Sequence, residues 1–97
     1  MGYIGKKSYT IESGQEVSTG FTGAGAYVIF NASAGRSALV VAGAIVLDAA
    51  AILYNDADIS HSLNTSNKVC FNRKSTNGEF FLKNNYTSNL TLIVIPL

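Results

Sequence analysis

Apolar residues along this chain fall in short β-branched or aromatic runs, and clusters of Gly, Asn and Ser interrupt them at roughly 8–12-residue intervals, the spacing of sandwich and barrel strands. The pattern predicts eight strands, near residues 7–12, 16–22, 26–31, 38–47, 51–55, 68–72, 80–83 and 90–95. Breaks are expected at 13–14, 23–25, 32–36, 55–66, 74–78 and 84–89. Period-2 alternation supports strands over helices. In residues 25–31 (GAYVIFN), Tyr27 and Ile29 share one face while Val28 and Phe30 share the other. Both faces are apolar, so one packs on the core and the other is free for a neighbouring sheet or subunit.

The run 90–97 (LTLIVIPL) is apolar on both faces and reads as a central strand. Phe80 and Leu82 oppose Phe81 and Lys83 in the same way, and Asn77-Gly78 is a two-residue turn signal that makes 68–74 and 79–83 a hairpin. Residues 38–54 are less distinct. Alanine-rich 47–53 fits a strand or a short helix capped by Asp48, and Gly43 marks a bulge or bend between Val40-Val41 and Ile45-Val46. The ten apolar residues before Asp48 are too few to cross a hydrocarbon core, so the segment belongs to a protein interior.

Composition sharpens this picture. Hydrophobic residues make up 47% of the 97 and charged ones only 13%, about half the usual share. Ser, Thr and Asn account for 26 residues, so the surface is one of hydroxyls and amides, as in secreted, cell-surface or virion β proteins. The length fits one domain, 1–97. With a net charge of +1 and only the short basic pairs Lys6-Lys7 and Arg73-Lys74, nothing forms the footprint that nucleic acid requires. Residues 1–7 have no apolar stretch behind their lysines, so no signal peptide is expected.

Candidate chemistry is sparse. Cys70 is the single cysteine, which rules out an intrachain disulfide and fits a small core or interface residue. His61 is the single histidine. Residues 56–61 (DADISH) match no zinc or EF-hand spacing, and a shared ion at His61 or Asp58 would need copies of the chain around an axis. No Gly-x-Ser-x-Gly elbow is present, and the carboxylates Glu12 and Glu16 flank a turn, so no catalytic residues, cofactor or metal are assigned and an enzyme is not expected. The glycines of 20–25 open no helix, which leaves a hairpin loop in place of a phosphate cradle. Four Asn-x-Ser/Thr sequons, at Asn31, Asn64, Asn85 and Asn89, are of the kind such a composition produces by chance. Aromatic–amide clusters are more suggestive. Tyr54, Asn55 and Asp56, and Asn85 with Tyr86, combine a stacking ring with hydrogen-bonding groups and form a candidate glycan-binding set; wet rim tyrosines or an interface account for the same residues.

The Ser/Thr/Asn-rich short strands, the late arm 78–85 (GEFFLKNN) and the strand 90–97 resemble, in style, small bacteriophage virion modules, namely capsid decoration proteins and tail-fibre or receptor-binding head domains. That resemblance implies a homotrimeric jelly roll or sandwich located in the virion, with capsid or tail proteins as partners and host-surface glycan as a further contact. The expectation is an all-β, antiparallel, jelly-roll-like sandwich of about eight strands that assembles with itself as a virion structural or adhesion protein. The alternative is a lectin-like carbohydrate-binding module.

Overall fold

In a computed structural model, residues 5–22, 24–43, 50–75 and 78–97 are described, save the side chains of Ala50 and Ala51. They form nine strands and no helix: β1 (Lys7–Ile11), β2 (Glu16–Ser18), β3 (Gly25–Asn31), β4 (Arg36–Ala42), β5 (Ala50–Asn55), β6 (Ile59–Ser60), β7 (Val69–Arg73), β8 (Phe80–Asn84) and β9 (Leu90–Pro96). A five-stranded sheet, β1-β9-β3-β4-β5, faces a four-stranded sheet, β2-β8-β7-β6. This is the all-β sandwich expected from the pattern.

The chain changes sheets between β1 and β2 and again between β8 and β9, while β1 stays paired with β9 and β2 with β8, both antiparallel. The middle of the chain is simpler, with β3, β4 and β5 joined as an antiparallel meander. Strand β9 is central, hydrogen-bonded to β1 on one side and to β3 on the other.

Each sheet turns one face to the core. Ile11, Tyr27, Ile29, Val40, Leu92 and Val94 come from the first sheet, and Val69, Phe71, Phe80 and Leu82 from the second; all are at most 3% exposed. At the centre Phe71 and Phe80 stack at 4.8 Å, and Tyr27 packs tilted against both at 5.5 and 5.3 Å. Asn84 ties the sheets together at one end. Its buried Nδ2 donates to the Ile11 carbonyl of the opposite sheet (2.9 Å) and to Ser88 O (2.8 Å).

Three boundaries differ from expectation, for local reasons. Strand β2 ends at Ser18 because Thr19 Oγ1 donates to Phe80 O and accepts from Phe21 N–H, and Gly20 then turns the chain with φ +75°. The expected break at 55–66 holds a ninth strand. There the Asn55 side chain accepts from Ile59 N–H (2.7 Å) and donates to Ile59 O (2.9 Å), which sets Ile59 and Ser60 in a short parallel pairing with β7. Residues 50–53, left open between strand and helix, are strand, with a bulge between Leu39 and Val40 of β4 opposite them. The far end of the predicted 38–47 strand, the first residues of 47–53, Asn77 of the Asn77-Gly78 turn and residues 1–4 lie outside the described residues.

Candidate functional site

Two surfaces carry chemistry that the core does not explain. The first is the outer face of the five-stranded sheet. Strand alternation sends Val28 and Phe30 of β3, Leu39 and Val41 of β4, Tyr54 of β5, and Ile93 of β9 outward, and the register stacks them as neighbours: Phe30 beside Ile93, Leu39 beside Val28 and Tyr54; Ile95, next to Val28 on the same side, is buried at 8% exposure. Phe30 is 38% exposed, Val41 40%, Tyr54 57% and Leu53, at the bulge, 65%. The remaining described outward positions are Ser8, Thr10, Ala26, Ser37 and Thr91, so no charged group crosses the face. A continuous apolar sheet face of this kind on a small domain marks an interaction surface.

The second surface is an open pocket of about 270 Å³ at one end of the sandwich. Three loops build it. The β3–β4 loop turns because Asn31 O and Asn31 Oδ1 both accept from Ala34 N–H (3.2 Å each), and Gly35, at φ +67°, reverses the chain into Arg36. The β5–β6 loop is held by Ala57 N–H donating to Ser37 O (2.9 Å), and it carries Asp58 at φ +54°. The β8–β9 loop is pinned by Tyr86 N–H donating to Asn84 Oδ1 (2.9 Å) and by Ser13 Oγ donating to Tyr86 O. Asn31, Arg36, Asp56 and Asp58 provide polar lining, Ala34, Ala57 and Leu90 apolar lining, and Tyr86 a wall.

Charges in the pocket are matched locally. Arg36 Nη1 lies 3.6 Å from Asp56 Oδ1, and the Lys68 ammonium pairs with Asp58. Asn31 differs from both. It is only 4% exposed, and its Oδ1 is engaged by Ala34, yet its Nδ2 makes no hydrogen bond to the protein. No described buried side-chain nitrogen or oxygen is sealed away without a partner, so this N–H₂ keeps some access to solvent, and Asn31 lines the pocket.

Of the five candidate glycan-binding residues, the structure brings Asp56 and Tyr86 together in this pocket. Tyr54 belongs to the outer sheet face. The Asn55 amide is committed to Ile59, and Asn85 Nδ2 donates to Leu63 O, Thr65 O and Cys70 Sγ, fixing the loop after β6. Sequence reasoning missed Asn31 and Arg36, the residues that flank the β3–β4 loop. Their signal was available in the NASAGR hairpin, where an Asn at the strand end and a Gly before the return strand mark a tight turn.

Cys70 is fully buried under that same β6–β7 loop, and burial pushes its thiol up from the ordinary 9.0, against the hydrogen bonds at Thr65 and Asn85 and the nearby lysines, which pull it down. His61 is exposed at the start of the loop. Among the described residues no group of three or more His, Cys, Asp or Glu is placed to hold a metal ion. No protein-family model, no curated protein and no solved structure matches the chain.

Proposed function

We propose that the chain is a non-enzymatic structural module that works by assembling with copies of itself through the outer face of its five-stranded sheet, as a capsid decoration protein or tail-fibre tip of a phage virion. The observation that carries the assembly reading is the uncharged apolar face centred on Val28, Phe30, Leu39 and Val41. Five strands about 4.8 Å apart and ~20 Å long present roughly 500 Å² per copy, so three such faces brought together around an axis bury up to about 1,500 Å², above the roughly 1,000 Å² at which specific interfaces begin. The hydroxyl- and amide-rich surface and the style of the strands support the virion setting. Solution mass across a concentration series tests the assembly, with a stable trimer expected; a monomer at all concentrations overturns it. Purified particles test the setting: absence of the protein from them removes the virion reading.

A second reading, a lectin-like carbohydrate-binding module, is favoured by one observation, the convergence of Asp56 and Tyr86 with Asn31 and Arg36 in a single pocket. A glycan array with no hits removes it.

A further inference from the structure

We infer that the pocket between the β3–β4, β5–β6 and β8–β9 loops is a binding site for one sugar ring, an uncharged hexose-sized polyol. The inference rests on the carbohydrate reading and narrows it to one site and one ligand class. Its starting point is Asn31. A 96%-buried amide whose oxygen caps a loop, whose N–H₂ group has no acceptor in the protein and which lines a cavity has a donor that protein does not satisfy. A hydroxyl or ring oxygen is the acceptor that such a donor fits.

The rest of the lining selects among ligands. Arg36 with Asp56, and Lys68 with Asp58, leave the pocket close to neutral, so neither a phosphate nor an ammonium gains a net opposite charge on entering. At 3.6 Å the Arg36 contact leaves the Asp56 carboxylate with lone pairs to accept from ligand hydroxyls. Tyr86, Ala57 and Leu90 supply apolar surface for the C–H face of a sugar ring, which is amphipathic in the same sense. The volume, about 270 Å³, lies at the lower edge of small-molecule sites and suits one ring. Asn31 thus donates to the ligand, Asp56 accepts from it, and Tyr86 packs against it.

The test is an amide ¹H–¹⁵N NMR titration of the intact chain with glucose, galactose, mannose and N-acetylglucosamine, and with methyl phosphate as the charged comparison. The expected result is a saturable shift with at least one sugar, confined to amides around Ala34, Ala57 and Tyr86, and none with methyl phosphate. Asp56→Asn, at an exposed position, should weaken that sugar about tenfold, as the loss of a charged acceptor predicts. Asn31→Asp keeps the Oδ1 cap, removes the donor and should abolish saturation; if it fails to fold, Asp56→Asn alone decides. Tyr54→Ala should bind as the parent does. Sugar shifts that cluster around Tyr54 or Asn55, or that Asp56→Asn leaves unchanged, overturn the pocket and leave the carbohydrate reading standing. No saturable shift with any sugar up to about 100 mM overturns both.

Discussion

Outside the four-stranded sheet, Phe81 is half-buried beneath the Lys74 ammonium (4.5 Å from its ring), Lys74 pairs with Glu16, and the loop after β6 folds over Cys70 and is fastened by Asn85. Outside the five-stranded sheet, Phe30, Val41, Leu53 and Tyr54 have no comparable cover from the described residues. Both faces carry aromatic or aliphatic side chains on the same alternation; among the described residues, loops and charges complete only one of them. A sheet face covered from within is part of the monomer's stability. A sheet face left bare is available to another molecule, and its residues should affect assembly far more than folding.

The sharpest way to break this comparison is to set the inner faces beside the outer ones. Phe71→Ala removes a ring stacked on Phe80 and should cost about 3–5 kcal/mol by urea denaturation, enough to unfold much of the population. Phe30→Thr combined with Val41→Thr retains strand propensity on the bare face. It should change monomer stability by no more than about 1 kcal/mol while reducing the light-scattering mass to that of a single chain. A double variant that loses stability as Phe71→Ala does, yet keeps its mass, would mean the face is core.

On the covered face the expected effect is smaller and depends on pH. Cys70 titrates higher folded than unfolded, so its neutral thiol contributes stability that is fully present below the ordinary 9.0 and is lost as pH rises through the folded value. Stability should therefore decline above about pH 9, and Cys70→Ala should remove that part of the decline. Burial of Tyr9 and Tyr27 raises their hydroxyls above 10.0 and adds a further loss at higher pH in both proteins. Smallest of all is Lys74→Gln. Its pair with Glu16 is substantially solvated, so the change should cost about 0–1 kcal/mol, less still at high salt.

How much of this was legible in the sequence follows from which interactions are local. Strands such as β3 and β9 announced themselves by two-sided apolar alternation, and that same alternation foretold a sheet face left over after the core was filled. Strand β6 did not, because two residues carry no period; Asn55, four positions away, places them by a side-chain clamp that only the folded loop reveals. The candidate site was half-legible. Asp56 and Tyr86 stood out as polar and aromatic loop residues, but the contributions of Asn31 and Arg36 depend on three loops from distant parts of the chain meeting at one end. Asn55 and Asn85 had the composition of binding residues, and the fold uses their amides as internal fasteners. A sequence displays an amide's chemistry without displaying whether the backbone has already claimed it.

The position of β9 has a consequence for how the molecule is made. Strands β1 and β3 flank it and do not touch as partners, so β1 waits about 80 residues for the strand that will join it to the sheet. At 5–20 residues per second that is roughly 4–16 s on the ribosome, during which the β1 backbone, and the β3 edge destined for β9, stay unpaired and open to intermolecular strand addition. Closure of the five-stranded sheet is therefore a late event of synthesis, and a nascent chain cut short before β9 carries two sheet fragments that have nothing to join them.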